Sequence, residues 1–318
     1  MKIIYNKIFL EHDTGMHPEN KKRLESLDKL PETKVENGEK YLSLVHSKKY
    51  IQHVKDFCKK NGGNLDRDTI VSPKSYEAAI YAVGATVMAS RTNDFALVRP
   101  PGHHAFPDRS SGFCIFNNIA IATQKLVNEG KKVLIFDFDA HLGDGTVDFF
   151  YKSDKVLYWS LHQFPAFPGG GNVNEIGEGK GKGYTINVPL PPGSGDDIYM
   201  RAVENFMPIV EQFKPDHIAV SAGFDAHVHD LLLDLRLSAN TYYKLGKMLS
   251  NFKNVFATLE GGYNVELFPK CLYNFLDGIN KKNIRFKDQN TDSRIIAIDE
   301  FEARMYQLEK NLKEFWKI

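Results

Sequence analysis

Seven apolar runs, rich in β-branched and aromatic residues, recur along the chain with segments of helical pattern between them. Parallel strands are buried on both faces and need crossover connections, which are usually helices. The alternation therefore favours an α/β fold in which a mostly parallel sheet is covered by helices. The runs are residues 2–6, 95–100, 131–140, 155–162, 184–190, 216–225 and 254–262.

Five segments carry the helical pattern: residues 72–90, 117–130, 196–213, 238–252 and 298–318. Two of them open with residues typical of helix starts, Ser72 before Pro73 and Ser238 before Ala239. We expect Gly130 to close the second helix. The C-terminal segment is amphipathic, and it could pack on its own domain or on a partner.

Composition predicts a soluble intracellular protein. With 318 residues, 42% of them hydrophobic, it can bury a large core, and the absence of repeats or linkers predicts one domain over 1–318. The net charge of +1 gives no support to a nucleic-acid or acidic-lipid partner. Cys58, Cys114 and Cys271 do not form a disulfide framework, and the N-terminal apolar run is too short for a signal sequence, so we expect a cytoplasmic protein.

Polar side chains follow four of the apolar runs at the point where each run ends. In order along the chain they are His103 and His104, then Asp137, Asp139, His141 and Asp144, then Asp225, and finally Tyr263. Ligands of open parallel sheets bind outside the carboxyl ends of the strands. We therefore expect these side chains to lie together at one edge of the sheet.

The segment DFDAHLGDG, residues 137–145, is the strongest local signal. Residues two apart on an extended segment share a face, so Asp137, Asp139 and His141 point the same way. Such a group is repulsive or poorly solvated unless a cation binds it. We expect Asp139 and His141 to bind a divalent metal; a strand end that merely caps the next helix is the alternative for this motif alone.

Asp225, in SAGFDAH, is the expected third ligand, although an aspartate after a glycine is also common in turns. Two carboxylates and one imidazole leave a fourth position for water, which is the arrangement of a catalytic zinc site. Zn²⁺ is the expected metal, and Fe²⁺ or Co²⁺ could occupy the same ligands.

Two adjacent histidines lie in RPPGHHAFPDRSSGFCIFNN, residues 99–118. One packed and one exposed histidine would be the ordinary interpretation. Beside a metal-activated water, however, an imidazole can accept a proton and pass it to a leaving amine. We expect His104 to perform this role, His103 to lie behind it, and Asp137 and Asp144 to hold the two rings. In LEGGYN, two glycines could aim the Tyr263 phenol at a developing oxyanion, although such a segment is often only a turn.

These motifs together resemble the histone deacetylase superfamily, in particular its class II-like bacterial and archaeal branch, which includes acetylpolyamine amidohydrolases. The resemblance runs from HPENKKRL through RPPGHHA, SSGFCIFNN, DFDAHLGDGT and SAGFDAHVHD to LEGGYN. It implies an arginase/deacetylase-like α/β fold with an eight-stranded, mostly parallel central sheet flanked by helices.

The resemblance also implies a role for each matching residue. The zinc ligands fall on Asp139, His141 and Asp225; the catalytic groups on His103 with Asp137, His104 with Asp144, and Tyr263. An acyl-lysine tunnel is walled by Gly112, Phe113 and Phe167. A structural monovalent cation, usually K⁺, is held by Asp137, Ser160 and main-chain oxygens of Asp139, His141 and Leu161.

Two positions depart from many relatives. Leu142 stands where a second histidine often follows the ligand. Leu232 stands seven residues after Asp225, where polyamine-selective relatives place a gatekeeper glutamate. Leu232 therefore predicts a preference for acetyl-lysine over cationic polyamines.

The expected function is removal of an acetyl or other acyl group from N-acyl-lysine by a zinc-dependent amidohydrolase, with metal-activated water, a histidine base and acid, and a tyrosine oxyanion donor. The substrate would be an acylated protein or peptide, or a small acylated amine such as an acetylpolyamine. A ureohydrolase of the same fold and a non-catalytic acyl-lysine binding protein are the weaker alternatives. No nucleic-acid or membrane partner is expected, and the oligomeric state is left open.

Overall fold

A computed structural model of the protein describes residues 1–318 and contains nine β-strands and nine α-helices. The strands are β1 (Ile3–Ile4), β2 (Gly63–Asn64), β3 (Ile70–Val71), β4 (Phe95–Ala96), β5 (Val133–Asp137), β6 (Val156–Gln163), β7 (Thr185–Leu190), β8 (His217–Ala222) and β9 (Val255–Leu259). The α-helices are α1 (Lys22–Glu25), α2 (Lys48–Lys59), α3 (Ser75–Thr92), α4 (Asn118–Asn128), α5 (Asp144–Phe150), α6 (Asp196–Phe213), α7 (Ala239–Leu249), α8 (Phe268–Ile279) and α9 (Ile295–Leu312). Short 3₁₀ helices span Lys7–Glu11, Glu39–Leu44 and Gly179–Gly181.

Seven strands form one parallel sheet in the order β1-β4-β9-β8-β5-β6-β7. Each overlaps one of the seven apolar runs, so the predicted α/β sheet is confirmed. The sheet has seven strands where the resemblance led us to expect eight. β2 and β3 form a separate antiparallel hairpin, and the exposed Gly63 and Asn64 cannot belong to a sheet that is covered on both faces.

The central strands are buried along their whole length, which explains why their sequences are nearly continuous apolar runs. Every residue of β5 and of β6 is buried. Phe136 of β5 packs on Trp159 of β6 with ring centroids 4.8 Å apart. Such burial requires helices on both sides of the sheet, as the alternation along the chain predicts.

The chain order of the strands determines where loops can meet. After β5 the chain adds β6 and β7 on one side, and then returns to place β8 on the other side of β5. Asp137 at the end of β5 consequently pairs with Ser160 of β6 and Ser221 of β8. A reversal of this kind opens a crevice at the carboxyl ends of the strands, where the loops after β4, β5, β8 and β9 converge.

The helix ends partly differ from the predicted ones. Ser72 does not cap α3, because this helix begins only at Ser75. Ser72 lies in the preceding turn, where its backbone N–H donates to the Ser75 hydroxyl (2.7 Å). Ser238 does occupy the N-cap position of α7, but its hydroxyl donates to Asp196 (2.6 Å). Gly130 follows α4 with φ +81°, as expected for a closing glycine.

The C-terminal helix packs on its own chain. The apolar stripe of α9 is buried against β7 and α6, with Phe301, Met305, Leu308 and Leu312 enclosed. Beyond the helix, the Trp316 indole N–H donates to the Gly183 carbonyl (2.6 Å). The apolar stripe of this helix therefore packs on its own domain, while Ile295, Ile296 and Tyr306 of the same helix are exposed. No helix of the protein combines the length and the apolar character that crossing a membrane requires.

Candidate active site

A cavity of about 280 Å³ lies at the carboxyl edge of the sheet. Its wall brings together residues from loops far apart in the chain: Asp68, His104, Gly112, Phe113, His141, Phe167, Leu232, Leu233 and Tyr263. The four residues expected to contact substrate, Gly112, Phe113, Phe167 and Leu232, all lie in this wall. So do three of the residues expected to carry the chemistry, His104, His141 and Tyr263.

The three expected metal ligands meet at the base of these loops. One donor atom from each of Asp139, His141 and Asp225 lies within 4.8 Å of the others, and all three residues are buried. The His141 Nδ1 atom is 3.2 Å from Asp139 Oδ1 and 2.9 Å from Asp225 Oδ2. The three groups therefore converge on one point from two strands.

Backbone groups hold the two carboxylates in place. The Gly261 N–H donates to Asp139 Oδ2 (2.7 Å), and the Ala140 N–H donates to Asp225 Oδ1 (2.9 Å). A Cβ atom at Gly261 would lie 2.5 Å from Asp225 Oδ2, and one at Gly223 only 2.1 Å from Asp139 Oδ2. Glycine is required at both positions because the carboxylates fill the space that a side chain would need.

The electrostatics of this group favour a bound cation. Burial alone would lower the pKa of His141, but its hydrogen bonds to Asp139 and Asp225 raise that pKa to about 10. Burial, together with the charge of Asp139, raises the pKa of Asp225 to about 7. Two enclosed carboxylates require a positive charge between them; a proton on His141 supplies it, and a divalent cation held by the same three groups would displace that proton. Two carboxylate oxygens and one imidazole nitrogen are a donor set that suits zinc.

Each of the paired histidines has its own aspartate. The His104 Nδ1 atom is 2.7 Å from Asp144 Oδ1, and the His103 Nδ1 atom is 3.2 Å from Asp137 Oδ2. The two rings lie 4.0 Å apart, and of the two only His104 lines the cavity. His103 therefore lies behind His104, as the sequence predicts.

The two imidazoles differ in charge. Burial and the positive charge of His103 lower the pKa of His104 to about 4, against the opposing effect of Asp144. Burial also opposes protonation of His103, but the carboxylates of Asp139 and Asp137 outweigh it and raise the pKa of His103 well above its ordinary value. At neutral pH, His104 is the uncharged ring of the pair and can accept a proton.

The position of His104 depends on its neighbours in the wall. Gly112 has φ +53°, and a Cβ atom there would lie 2.4 Å from His104 Cδ2. On the other side, the Phe167 ring is 5.1 Å from the His104 ring in an edge-to-face arrangement. Phe113 packs edge-to-face against Tyr263 with centroids 5.8 Å apart. The aromatic wall therefore also holds the side chains of His104 and Tyr263 in place.

Tyr263 is almost enclosed, and burial raises the pKa of its hydroxyl well above the ordinary value, so the phenol stays protonated. Its turn is held by Arg23, a fully buried residue. Arg23 Nε donates to the Gly262 carbonyl (2.7 Å), Nη2 donates to the Glu260 carbonyl (2.5 Å), and the guanidinium lies 5.1 Å from the Tyr263 ring centroid.

Two acidic side chains at the site were missed by the sequence analysis. Glu260 is fully buried and accepts from the N–H groups of Gly102 (2.7 Å) and His103 (3.1 Å), so it holds the loop that carries both histidines. Asp68 lines the cavity and accepts from the Gly112 N–H (3.1 Å). Glu260 stands in the quoted motif LEGGYN, whereas only the folded chain brings Asp68 to the wall.

The residues expected to hold a monovalent cation also lie together. Asp137 and Ser160 are register partners at the ends of β5 and β6, and both are fully buried. Asp137 Oδ2 accepts from the Tyr158 hydroxyl (3.0 Å) and faces His103, while the Ser160 hydroxyl contacts His162 Nδ1 at 2.9 Å. Leu142, beside the expected ligand His141, is buried.

Comparison with known proteins gives concordant results. Residues 17–279 match the histone deacetylase domain. The chain is 38% identical over 293 residues to a probable deacetylase of Archaeoglobus fulgidus, covering 83% of this chain and 81% of that protein. It is 37% identical over 244 residues to a histone deacetylase-like amidohydrolase of Pseudomonas aeruginosa, covering 71% of this chain and 64% of that protein. The crystal structure of the HDA15 HD domain matches 99% of this chain and 97% of its own with a TM-score of 0.88 and 28% identity.

Proposed function

The chain belongs to the histone deacetylase family, and we propose that it is a zinc-dependent hydrolase that removes an acetyl or other acyl group from N-acyl-lysine, with residues 1–318 acting as one catalytic domain. The observation that carries the proposal is that one cavity is lined by His104, which is uncharged at neutral pH, by the protonated Tyr263 and by His141, which belongs to the buried cluster with Asp139 and Asp225. A proton-transfer group, a hydrogen-bond donor and a Lewis-acid site are what metal-assisted amide hydrolysis uses.

Asp139, His141 and Asp225 would hold the metal through two oxygens and one nitrogen. When bound, the metal polarises a carbonyl oxygen and lowers the pKa of water. Zn²⁺ is the first candidate, and Fe²⁺ or Co²⁺ are compatible with the same donors. Asp137, Ser160 and the main chain of Asp139, His141 and Leu161 would hold a structural K⁺.

His104 would transfer the proton. Hydrolysis forms a bond between the water oxygen and the acyl carbon and breaks the bond between that carbon and the amide nitrogen. His104, uncharged at neutral pH, accepts the proton that water loses and returns it to the departing nitrogen, which leaves as the amine. Asp144, 2.7 Å from Nδ1, fixes the ring with Nε2 as its reactive atom, while His103 and Asp137 support it from behind.

Tyr263 would stabilise the charge that develops on the acyl oxygen. Its hydroxyl stays protonated at any physiological pH, and it lines the same cavity as His104 and His141. A hydrogen bond made mainly in the transition state raises turnover and leaves ground-state binding largely unchanged.

The cavity wall favours an acyl-lysine substrate. Phe113, Phe167, Leu232 and Leu233 are apolar and suit the methylene chain of lysine. The carboxylate of Asp68 in the same wall is the feature that supports the second candidate, an acetylpolyamine or other small acylated amine, because it could pair with a distal ammonium. One Asp68 oxygen is already bound to the Gly112 N–H, and Leu232 supplies no second charge, so acyl-lysine remains the first candidate.

The two alternative functions, a ureohydrolase and a non-catalytic binding protein, have less support. A ureohydrolase would need another aspartate near Gly223, where a Cβ atom would lie 2.1 Å from Asp139 Oδ2 and leaves no room for one. A non-catalytic binding protein would not require His104 and Tyr263 beside the metal ligands. A cytoplasmic location and the lack of a nucleic-acid partner stay predictions from the sequence, as does the open oligomeric state.

The proposal is tested with purified protein loaded separately with Zn²⁺, Co²⁺ or Fe²⁺. Each form is given acetyl-lysine peptides, longer acyl-lysine peptides and acetylpolyamines, and the released acid and amine are both quantified. We expect equal amounts of the two products, with acyl-lysine peptides turned over fastest. Lack of turnover of every acyl amine by all three metal forms would contradict the proposed reaction.

A further inference from the structure

The turn that carries Tyr263 lies between two oppositely charged side chains. On one side, Arg23 binds the carbonyls of Glu260 and Gly262. On the other side, Asp230 Oδ2 accepts from the N–H groups of Tyr263 (2.8 Å) and Asn264 (2.9 Å). The carbonyls of the turn therefore face a cation and its N–H groups face an anion.

Asp230 belongs to the loop that follows Asp225. The same loop supplies Leu232 and Leu233 to the cavity wall, two and three residues further on. A third hydrogen bond joins the two segments, because the Asn264 side-chain amide donates to the His229 carbonyl (2.8 Å). The second oxygen of Asp230, Oδ1, is buried and has no hydrogen-bond partner. The Asp230 carboxylate therefore binds the turn through one of its two oxygens.

The turn needs this external support because its own residues leave it flexible. Gly261 and Gly262 precede Tyr263, and Gly262 has φ +113°, a conformation that other residues rarely adopt. Neither glycine can be replaced to stiffen the turn: a Cβ atom at Gly261 would meet the metal-ligand carboxylates, and one at Gly262 would lie 2.9 Å from Phe224 Cβ. Contacts from other segments must therefore fix the backbone from which Tyr263 projects.

We propose that Asp230 is a positioning residue for the reaction: through two backbone hydrogen bonds it sets the place of the Tyr263 hydroxyl relative to the metal ligands. The inference rests on the proposed function, since it assumes that this hydroxyl contributes to turnover. Asp230 also connects the cavity wall to the turn, because it belongs to the same loop as Leu232 and Leu233.

The test is a double-mutant cycle between Asp230→Ala and Tyr263→Phe, measured as kcat and KM with a good acyl-amine substrate. Asp230→Ala should lower kcat by about 10- to 100-fold, the cost of misplacing a group by a fraction of an ångström to 1 Å. In the Tyr263→Phe background the same change should lower kcat by less than about threefold, because the hydroxyl that Asp230 places is already gone. Bound metal, measured by elemental analysis, should be unchanged in all forms.

Asp230→Asn is the conservative variant. Its amide oxygen can occupy the Oδ2 position and keep both N–H bonds, with the amide nitrogen in place of the unpartnered Oδ1. We expect its kcat to stay within about threefold of the wild type. If Asp230→Ala does not fold, Asp230→Ser, which is too short to reach both N–H groups, takes its place in the cycle.

Asp196→Ala is the matched control for a structural effect. Asp196 is also buried, and it also accepts N–H groups from separate segments, at Ser238 (2.8 Å) and Thr291 (3.0 Å), neither of which belongs to the Tyr263 turn. This variant should lower Tm and affect kcat equally in the wild-type and Tyr263→Phe backgrounds. If Asp230→Ala also lowers kcat by the same factor in the wild-type and Tyr263→Phe backgrounds, the positioning role is overturned. If Tyr263→Phe alone leaves kcat unchanged, the oxyanion role in the proposed function fails instead.

Discussion

The replacement of Gly112 by alanine tests whether the placement of His104 controls turnover. Gly112 has φ +53°, and its new Cβ atom would lie 2.4 Å from His104 Cδ2 and 2.7 Å from Cγ. Restoring an ordinary carbon–carbon contact requires the imidazole to move by roughly 1 Å. The ring cannot simply retreat, because Phe167 packs on it and Nδ1 is bound to Asp144.

The expected loss follows from these distances. A catalytic group displaced by about 1 Å costs roughly 100-fold in kcat. The positive φ adds about 1 to 2 kcal/mol of backbone strain, which lowers Tm by about 1.5–3 °C in a chain of 318 residues. Metal content should stay at the wild-type level, because Asp139, His141 and Asp225 are not touched by the new methyl group.

Gly179→Ala is the control for the backbone strain. Gly179 has φ +59°, and a Cβ atom there meets nothing within 4 Å. It should show a similar loss of Tm and unchanged kcat. The assay compares kcat, KM, Tm and bound zinc of the two variants with an acyl-lysine peptide. If Gly112→Ala retains near wild-type kcat while its Tm falls like that of Gly179→Ala, the position of His104 does not limit the reaction and the reasoning is refuted.

Three further predictions concern the metal, the base and the specificity of the site. Asp139→Asn or Asp225→Asn should lower both the zinc content and the activity, the activity by about 100-fold or more. Each change removes an anionic donor from a proposed site of three protein ligands. Full zinc occupancy of either variant, measured by elemental analysis, would contradict the ligand assignment. His104→Ala should retain zinc and lose about 100- to 10,000-fold in kcat, and a variant with near wild-type turnover would exclude His104 as base. Leu232 is 38% exposed, and Leu232→Glu should raise kcat/KM for an acetylpolyamine relative to a neutral acetyl-lysine substrate by about two- to fivefold. The gain should be smaller at high salt, because salt screens the new charge. If the ratio of the two kcat/KM values does not change, Leu232 does not select between the two substrate classes.

Much of the fold could be predicted from local sequence pattern, because that pattern is a direct consequence of burial. Strands covered on both faces must be mostly apolar, so β5, β6 and β8 appear in the sequence as nearly continuous apolar runs. Helix starts were less predictable. Ser72 and Ser238 have the residue type of caps, but their hydroxyl groups donate to partners that only the fold supplies, the Glu11 carbonyl for Ser72 (3.3 Å) and the Asp196 carboxylate for Ser238 (2.6 Å).

At the site too, features set by neighbouring residues were predictable, and features set by residues far apart in the chain were not. The order of the strand-end motifs was enough to identify Asp139, His141, Asp225, His104 and Tyr263 as candidates, because ends of parallel strands share one edge of the sheet. The sequence did not reveal that Asp68 lines the cavity, or that Glu260 and Asp230 hold the loops of His103 and Tyr263.

The physical reason lies in the range of the interactions. Periodicity and strand-end chemistry are set by residues within a few positions of one another, so the sequence by itself determines which side chains each strand delivers to the edge. A hydrogen bond such as that from the Tyr263 N–H to Asp230, 33 residues away, or from the His103 N–H to Glu260, 157 residues away, has no local signature. Only the tertiary structure decides which buried carboxylate accepts from which backbone N–H, and these bonds hold the backbone of His103 and Tyr263 in place.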